Sequence, residues 1–488
     1  MESQTSAAKR ADSQGNRRSI SLFPTAVALT LSACAWQSYA PDPLRIEEDF
    51  NAFSSARESG VPPVSEEQAG ELTLDRAARW LRARGPGVRA AVAAYRTALA
   101  KAGIATPWPN PAISIGPEFG SGEDSQINKV VPFASLSLTI PLSGRLGKQD
   151  ELNEAVAQSA RADALATFRE LYLDLRVRFV KLAVAQRREV VRASVLEAAR
   201  DSVDVANELV VAGVATALDV SLNQLEYARE QSRLLGARVE AANAASDLSE
   251  LVAVSPGHLG VLPDSALPAL PKEVPNMKAL QELVVEEHPG LLRSRAAYEV
   301  AERQLHLEIT KQYPDLVLGP SYAGEVGERK TILGLSLGVA VPLFDRNQQA
   351  IAQATKRREQ VRVDYEAEAH RILTAVERSR ATAELASAQH RILRDEVLPA
   401  ARDNVEIARQ SLAAGAAGAL QLLDAERSLR QIQVEVLEAR LSEQIAWSDL
   451  EKAVGFPLVE FPSDLAGAGR LPPDELVEEQ NKDEGEGR

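Results

Sequence analysis

The residue types that carry out most protein chemistry are few and scattered in this chain of 488 residues. It has one cysteine, two methionines and five histidines, and the histidines form neither an HxH nor an HExxH pattern. We therefore expect no disulfide framework, no thioether copper site and no histidine metal site. Carboxylate pairs such as Asp201 with Asp204 follow from an acidic composition. The sequence predicts no catalytic residue, no bound metal and no cofactor, and so no enzyme.

The charge balance limits the partners that the chain can bind. It has 69 acidic and 55 basic residues, a formal net charge of −14. Such a charge repels phosphates, so we expect no nucleic-acid partner. Hydrophobic residues make up 45% of the chain, which is ordinary for globular domains. No apolar run reaches the length of about 18 residues that a membrane-spanning helix needs.

The single cysteine follows an export signal. Arg17 and Arg18 precede the mostly apolar run 20–33, whose last three residues are Leu-Ser-Ala before Cys34. Basic residues, a short apolar run and small residues at the cut are typical of secretory signals. The end of the run is similar to a bacterial lipobox, and the alternative is an ordinary signal with a chance cysteine. We predict that Cys34 carries lipid, because a lone cysteine in an oxidising compartment has no partner. Ala35, by the lipoprotein sorting rule, then indicates the outer membrane.

The rest of the chain is internally duplicated. Residues 195–203 (VLEAARDSV) return as residues 397–405 (VLPAARDNV), with seven of nine positions identical at an offset of 202. Residues 140–142 (IPL) likewise return as residues 341–343 (VPL). Colinear matches at so long a period indicate a tandem duplication of one structural unit.

The duplication and shifts in composition divide the chain into six predicted segments. They are a lipoprotein-type signal peptide (1–33), a lipidated N-terminal segment (34–70), a first repeat (71–255), a Pro-rich joint (256–275), a second repeat (276–456) and an acidic C-terminal tail that reads as disordered (457–488). Each repeat is predicted to contain short helices, a β-hairpin and a long helical hairpin.

The helical hairpins are predicted to be unusually long. No proline occurs between Pro141 and Pro256. Apolar residues in this stretch are spaced alternately by four and three positions: Phe168, Tyr172, Leu175, Phe179 and Leu182. This spacing is typical of a coiled-coil seam. A continuous helix from Gln149 to Val211 would be about 90–100 Å long, too long for the inside of a globule.

The β-hairpins indicate where such helices are anchored. Apolar residues alternate with small or polar ones over residues 135–140 and 333–341, and the partner strands are predicted at 112–119 and 316–323. Alternation of this kind fits a transmembrane β-barrel, and equally a soluble sheet with one wet face. The export signal and the polar, Gly-rich loops favour the barrel. Because a barrel needs at least eight strands, we expect three copies to contribute twelve.

These features together resemble the TolC-type outer-membrane efflux proteins, particularly the lipoprotein channels of RND pumps, over about residues 40–460. The residues that carry the resemblance are Tyr39-Ala40-Pro41, Pro109-Asn110-Pro111, Tyr313-Pro314-Asp315, residues 396–400 (EVLPA) and residues 422–425 (LLDA) after the Ala-Gly turn. The resemblance implies a mainly α fold with a small β part. Long coiled-coil helices would form a trimeric α-barrel continuous with a twelve-stranded transmembrane β-barrel, to which each chain gives four strands.

The resemblance also implies a function and partners. The chain would be the passive exit duct of a tripartite efflux pump, lipid-anchored in the outer membrane of a Gram-negative bacterium and extending into the periplasm. It would export small molecules or metal ions. Its partners would be two further copies, a periplasmic adaptor (membrane fusion) protein, an RND-type inner-membrane transporter and outer-membrane lipid. Two alternatives stay open: the channel of an ABC-driven protein secretion system, and a periplasmic coiled-coil scaffold or adaptor without a pore.

The candidate site residues lie at the tips of the helical hairpins. Gly213 and Gly415 are expected in tight helix-to-helix turns, which need a residue able to adopt positive φ. By resemblance, Asp424 rings a closed aperture, and the alternative is a solvated helix face. Gln421 stands where some relatives have a second aspartate, so this chain departs from a two-ring gate. Asp219 is read mainly as an N-terminal helix charge favoured by the helix dipole.

Three further residues are expected to shape the tube. Arg145 and Arg346 follow the two β-hairpins at equivalent places, where we expect them to cap the junction between sheet and helices. Binding of lipid headgroups is the alternative. Pro399, where the first repeat has Glu197, should bend its helix.

Overall fold

A computed structural model describes residues 39–58, 72–120, 129–213, 215–262, 267–325, 330–414 and 419–459. The chain divides into two compact units between Ala56 and Arg57. Helix α1 (Ile46–Glu58) contains most of what is described of the first unit, and none of its side chains is buried.

The second unit contains the duplicated part, and its two halves have the same order of elements. The first half consists of α2 (Leu74–Arg84), α3 (Pro86–Ala102), β1 (Ala112–Gly120), β2 (Lys129–Ile140), α4 (Arg145–Val211) and α5 (Ala217–Val252). The second half consists of α6 (Met277–Glu287), α7 (Pro289–Thr310), β3 (Leu316–Glu325), β4 (Lys330–Val339), α8 (Gln348–Ile392), α9 (Leu398–Ala413) and α10 (Ala419–Val454). The predicted order of short helices, β-hairpin and long helical hairpin is confirmed in both halves.

The short helices of the two halves begin with equivalent signals. The Thr73 hydroxyl caps α2 by accepting a hydrogen bond from the amide of Arg76 at 3.3 Å. The side chain of Asn276 caps α6 in the same way. Helices α3 and α7 both begin with a proline, which is favoured there because the first amides of a helix have no partner inside it.

Helix α4 is 67 residues long, which corresponds to about 100 Å at 1.5 Å per residue. The absence of proline allows this length, and burial of one face stabilises it. Every residue of the predicted seam is buried, from Phe168 at 1% exposure to Leu182 at 0%. The coiled-coil prediction is therefore confirmed for the middle of α4.

The second half breaks its long helix where the first does not. A π-helical turn (Leu393–Val397) separates α8 from α9, and Pro399 lies in the first turn of α9. Proline has no amide hydrogen and its ring collides with the carbonyl four residues earlier. Widening the preceding turn to the π form accommodates that ring.

Each half builds its own hydrophobic core from the same elements. The first core is formed by residues of α2 and α3, the middle of α4 and the end of α5, including Leu81, Phe168, Phe179 and Leu248. The second is formed by α6, α7, the middle of α8 and the end of α10, including Leu280, Ile372, Trp447 and Leu450. The duplicated sequence thus folds with two equivalent hydrophobic cores, one in each half.

The two hairpins join into one antiparallel sheet with the strand order β1-β2-β3-β4. Strands β2 and β3 bring the two halves together, with Leu138 opposite Leu318 and Ile140 opposite Leu316. Strands β1 and β3 begin at the predicted residues, whereas β2 begins at Lys129, before the alternating stretch 135–140. The sheet lies at the end of the helices at which α4 and α8 begin.

No helix among the described residues has the length and apolar character that would let it cross a membrane. Cys34, Gly415, the two β-hairpin loops and the acidic tail beyond Val459 lie outside the described residues. The predicted domain boundaries stay predictions.

Candidate functional site

One face of the four-stranded sheet is apolar and exposed. Leu333 and Leu335 of β4 are 79% and 77% exposed, and Ile115 of β1 is 82% exposed. The register places apolar residues of all four strands on this face: Ile113, Ile115, Leu136, Leu138, Ile140, Leu316, Leu318, Leu335, Leu337 and Val339. Exposing so many large aliphatic side chains together marks a surface that is covered by something other than water.

The opposite face consists mainly of small and polar residues. Ser336 of β4 lies opposite Gly319 of β3 and donates a hydrogen bond from its hydroxyl to the Gly319 carbonyl at 3.0 Å. A Cβ on Gly319 would lie 2.5 Å from that hydroxyl oxygen, so a larger residue there would force the Ser336 side chain to move. Ser321 lies opposite Gly334, and a Cβ on that glycine would likewise lie 2.5 Å from the serine hydroxyl oxygen. The sheet therefore has one apolar face and one lined by hydroxyls and backbone.

The junction between sheet and helices is held by polar contacts. Arg145, the first residue of α4, pairs with Asp315, which directly precedes β3, at 2.8 Å. The predicted junction role of Arg145 is thus supported by a contact between the halves. Arg346 donates instead to the carbonyl of Pro342 at 3.2 Å. In the first repeat, the residue that corresponds to Asp315 is Ala112, which has no carboxylate.

A second pair of contacts fixes the start of α8. Asn347, with a φ of 59°, donates from its side-chain amide to the carboxylate of Glu308 in α7 at 2.8 Å. The pKa of Glu308 is lowered overall, since burial raises it but hydrogen bonds from Lys311, Asn347 and Gln304 lower it more. The carboxylate therefore stays charged and keeps the junction polar.

The tip of the first helical hairpin is a tight turn after α4. Gly213 has a φ of 74°, as the turn prediction requires. Thr216 and Asp219 then form a capping box, in which each side chain accepts the other's backbone amide. Hydrogen bonds from the backbone and side chain of Thr216 hold the pKa of Asp219 below its usual value. Asp219 thus has the helix-terminal position that the sequence predicted.

In the second hairpin, Gln421 and Asp424 lie in the first turns of α10, and both are exposed. Asp424 borders a cavity of about 430 Å³ between α4, α5 and α10, which Asn223 and Arg427 also line. Arg427 donates to the side-chain oxygen of Asn223 at 3.4 Å, which links the two hairpins near their tips. The structure thus brings Asp424 to the inter-hairpin cavity, whereas Asp219 lies in the capping box at the start of α5.

An ion cluster that the sequence analysis missed links three helices further from the tip. Arg188 of α4 contacts Glu438 of α10 at 2.7 Å and Glu240 of α5 at 2.6 Å. Arg192, one turn along α4, lies 3.6 Å from Glu438 and 3.8 Å from the buried Glu230. Burial lowers the pKa of Arg188, but the two carboxylates raise it more, to above its usual value. Two arginines four positions apart were the available signal, but their partners lie on distant helices.

Within the described ranges no group of three or more His, Cys, Asp or Glu side chains could hold a metal ion. What the geometry provides is a two-faced sheet, two long helical hairpins and charged contacts at their tips.

Comparison with known proteins agrees with this geometry. The chain matches the model of the outer membrane efflux protein family over residues 79–254 and 280–456. It is 25% identical over 397 residues to the cobalt-zinc-cadmium resistance protein CzcC of Cupriavidus metallidurans, covering 79% of this chain and 90% of CzcC. It is 23% identical over 282 residues to the nickel-cobalt-cadmium resistance protein NccC of Alcaligenes xylosoxydans xylosoxydans, covering 56% of this chain and 62% of NccC.

Among solved structures, the fold is similar to that of CusC, a protein described as forming a transmembrane channel. The TM-score is 0.63 at 17% identity, over 86% of this chain and 100% of that one. This likeness concerns the fold, and it confirms the predicted TolC-type architecture. Since the family match spans most of both halves, the chain belongs to the outer membrane efflux protein family.

Proposed function

We propose that this chain is the outer-membrane exit duct of a tripartite pump that exports divalent metal cations. The observation that carries the proposal is the sheet, which exposes a continuous apolar face and has neither outer edge paired within the described residues. A lipid-facing sheet cannot leave its edges unpaired, so other copies must complete it. Three copies of four strands give the twelve strands of a closed barrel.

The choice of cargo rests on the relatives' names. Cobalt and cadmium occur in the names of both CzcC and NccC, and similarity to CzcC extends over 90% of that protein. Cobalt and cadmium ions are therefore the first cargo to test, with zinc and nickel next. The metal passes through as substrate, and the energy comes from an inner-membrane transporter of RND type that is joined to the duct by a periplasmic adaptor. Cys34, with its lipid, would add a second membrane anchor.

Deleting the gene for this chain in its native host should lower the tolerated concentrations of Co²⁺ and Cd²⁺ several-fold. Cellular metal content, measured by mass spectrometry, should rise because the pump has lost its exit. Restoring the wild-type chain should reverse both changes. If the deletion instead impairs drug tolerance or protein secretion while metal tolerance is unaffected, the assignment of metal cargo is wrong.

Two matched variants test whether the apolar face meets lipid. Leu335→Arg places a charge on that face and should cost about 2–4 kcal/mol of insertion free energy, so the chain should fail to accumulate in the outer membrane. Ser336→Arg introduces the same charge at the neighbouring position on the opposite face. It should insert and restore most metal tolerance. Equal insertion of both variants would contradict the orientation of the sheet.

For the gate we propose that Asp424, with Gln421 one turn earlier, lines the periplasmic aperture. Three copies of Asp424 would converge near the axis, repel anions and concentrate cations at the entrance. The proposal is supported by the exposure of Asp424 and by its place at the cavity between the hairpins. Asp219 contributes less to the aperture, because its carboxylate is engaged by Thr216.

Asp424→Ala should reduce cation selectivity and weaken block by multivalent cations in planar-bilayer recordings. Removing three convergent charges lowers the negative potential at the entrance, which is the physical reason for both effects. Asp219→Ala is the matched control in the other hairpin. It should change selectivity less, because the carboxylate that it removes is engaged by Thr216 in the capping box. The reverse result, with Asp424→Ala silent and Asp219→Ala altering selectivity, would place the gate in the first hairpin.

A further inference from the structure

We propose that Phe344 and Arg346, in the segment between β4 and α8, bind a phospholipid of the periplasmic leaflet of the outer membrane. The Phe344 ring lies beside the acyl chains, and the Arg346 guanidinium donates hydrogen bonds to the lipid phosphate. The proposal rests on the proposed function, because only a sheet that spans the membrane brings this segment to the level of lipid headgroups. It goes beyond that function by naming a ligand and the two side chains that bind it.

The end of the sheet nearest the helices exposes large apolar side chains. Strands β1 and β3 begin at this end, and β2 and β4 end there. Trp108 and Tyr313, which shortly precede β1 and β3, are exposed, and so are Leu343 and Phe344 after β4. Phe344 is 91% exposed. Contact of a whole phenyl ring with water is unfavourable, so we expect another molecule to cover it.

The order of residue types in this segment matches the order of groups along a phospholipid. Val339 is the last residue of β4 on the apolar face, and Val341 and Leu343 continue the exposed apolar side chains beyond the strand. Phe344 follows them, and Arg346 comes next but one. A bilayer likewise passes from acyl chains, through an interface that favours aromatic rings, to charged headgroups. The guanidinium is thus expected where the phosphates lie.

The first repeat has the same junction without the features of a lipid site. Arg145 and Ser143 correspond to Arg346 and Phe344, at an offset of 201. The Arg145 guanidinium pairs with the carboxylate of Asp315 at 2.8 Å, and the Ser143 hydroxyl is buried. The first junction therefore presents neither an aromatic ring nor an arginine without a carboxylate.

The second repeat leaves the corresponding guanidinium open to a ligand. Arg346 is exposed, and among the described residues its guanidinium donates only to the carbonyl of Pro342, at 3.2 Å. A carbonyl has no net charge, so this contact does not neutralise the arginine. A lipid phosphate supplies a negative charge and oxygens that the planar guanidinium can bind in pairs.

The acidic neighbour of Arg346 is engaged elsewhere. The Asp345 carboxylate accepts the backbone amide of Asn347 at 2.9 Å, and the Asn347 side chain donates to Glu308 of α7. These contacts fix the start of α8. Asp345 therefore serves the helix, and no ion pair joins it to Arg346 among the contacts of the described residues.

The first experiment identifies the molecule that covers Phe344. The photoreactive analogue p-benzoylphenylalanine replaces Phe344 in the full-length chain, and isolated outer membranes are irradiated. Mass spectrometry of the purified chain should show an added mass equal to that of a phospholipid. The same analogue in place of Leu335, on the apolar face, is the positive control for contact with lipid. Cross-linked chains on a denaturing gel, in place of the lipid adduct at Phe344, would show that a second copy covers the ring and would overturn the proposal.

The second experiment tests the phosphate contact. The protein is purified in mild detergent and washed, and the phospholipid that it retains is counted by native mass spectrometry. Arg346→Gln should retain about fivefold less phospholipid than wild type, because it loses the charge and the paired donors. Arg145→Gln is the matched control at the corresponding position of the first repeat, and it should retain as much as wild type. Phe344→Ser, which introduces the first-repeat residue, should also lower retention.

A further wash distinguishes a lipid site from a site for free phosphate. Inorganic phosphate and sodium chloride are compared at equal ionic strength, and neither should displace the lipid, since the acyl chains hold it as well. Complete displacement by inorganic phosphate alone would show that the site recognises the free ion.

Equal retention by wild type, Arg346→Gln and Arg145→Gln would also overturn the proposal. The photo-cross-link keeps Arg346, so it decides the question even if Arg346→Gln fails to assemble. A lipid adduct at Leu335 but none at Phe344 overturns the lipid site alone and leaves the exit duct standing. Absence of lipid adducts at both positions would contradict the membrane-spanning sheet on which the proposed function rests.

Discussion

Replacing Glu451 with Ala is expected to lower the free energy of unfolding by about 3–5 kcal/mol, because it removes the carboxylate that a fully buried guanidinium contacts. Arg176 of α4 is 0% exposed and Glu451 of α10 is 1% exposed. The two side chains form two hydrogen bonds, at 2.9 and 3.1 Å. Glu451 also accepts the backbone amides of Leu458 and Val459. A single carboxylate thus joins the first repeat, the second repeat and the segment after α10.

Denaturant unfolding followed by tryptophan fluorescence measures this loss, since Trp447 is buried one turn before Glu451 in α10. Glu250→Ala is the matched control. It removes a carboxylate that is 80% exposed and lies 3.4 Å from Arg178, and should cost less than about 1 kcal/mol. Similar losses in the two variants would contradict the burial of the pair. The double variant Arg176→Met with Glu451→Leu should recover part of the stability, because no unpaired charge remains.

This pair also shows where reasoning from the sequence stops. The seam of α4 could be predicted because coiled-coil spacing is a local pattern, and Phe168 and Leu182 are buried as expected. Arg176 lies within the same stretch, but its partner is 275 positions away in the other repeat. No spacing in the chain encodes that contact. It arises from the way in which the end of α10 packs on α4.

The duplication contributed more to the prediction than any single motif. It gave the order of helices and hairpins in both halves, and strands β1 and β3 begin at the predicted residues Ala112 and Leu316. It could not show where the halves differ. Arg145 pairs with Asp315, whereas Arg346 finds no equivalent carboxylate because the corresponding residue is Ala112. The two repeats thus share their order of elements, and a contact differs between them where corresponding residues differ.

The residues at the hairpin tips also differ in how far the sequence predicts their surroundings. The Thr216 to Asp219 capping box is a local signal, since a threonine followed three positions later by an acid can exchange hydrogen bonds with the backbone. The position of Asp424 beside the inter-hairpin cavity depends on three helices, so no local pattern predicted it. Its role in a gate depends in addition on other copies of the chain.

The stability of the protein should fall as the pH drops from about 6.5 towards 4, and His288 is expected to cause a large part of that fall. His288 precedes α7 and caps it, since its Nδ1 accepts the amide hydrogen of Gly290 at 3.1 Å. Burial lowers the pKa of His288 to about 4; Glu368 of α8 raises the pKa, while Arg371 and Arg293 lower it. The folded protein therefore keeps this histidine neutral, which its capping role requires.

The direction of the effect follows from which state binds the proton first. In the unfolded chain the histidine has a pKa of about 6.5, so between pH 6.5 and 4 the unfolded state holds more protons than the folded one. The stability that the neutral His288 contributes is therefore complete above about pH 6.5 and decreases as the pH falls through this window. A difference of about 2.5 pKa units corresponds to about 3 kcal/mol. Protonation would also remove the acceptor of the cap and place a positive charge at a helix N-terminus.

His288→Asn tests this, because asparagine keeps a capping acceptor and does not titrate. The difference in unfolding free energy between wild type and His288→Asn, measured from pH 7.5 to 4, should change by about 3 kcal/mol in favour of the variant as the pH falls. His258→Asn is the matched control. His258 is exposed, so this variant removes an imidazole without opening a buried site. A His288→Asn profile parallel to that of wild type across the window would show that the folded protein accepts a proton at this position as readily as the unfolded chain does.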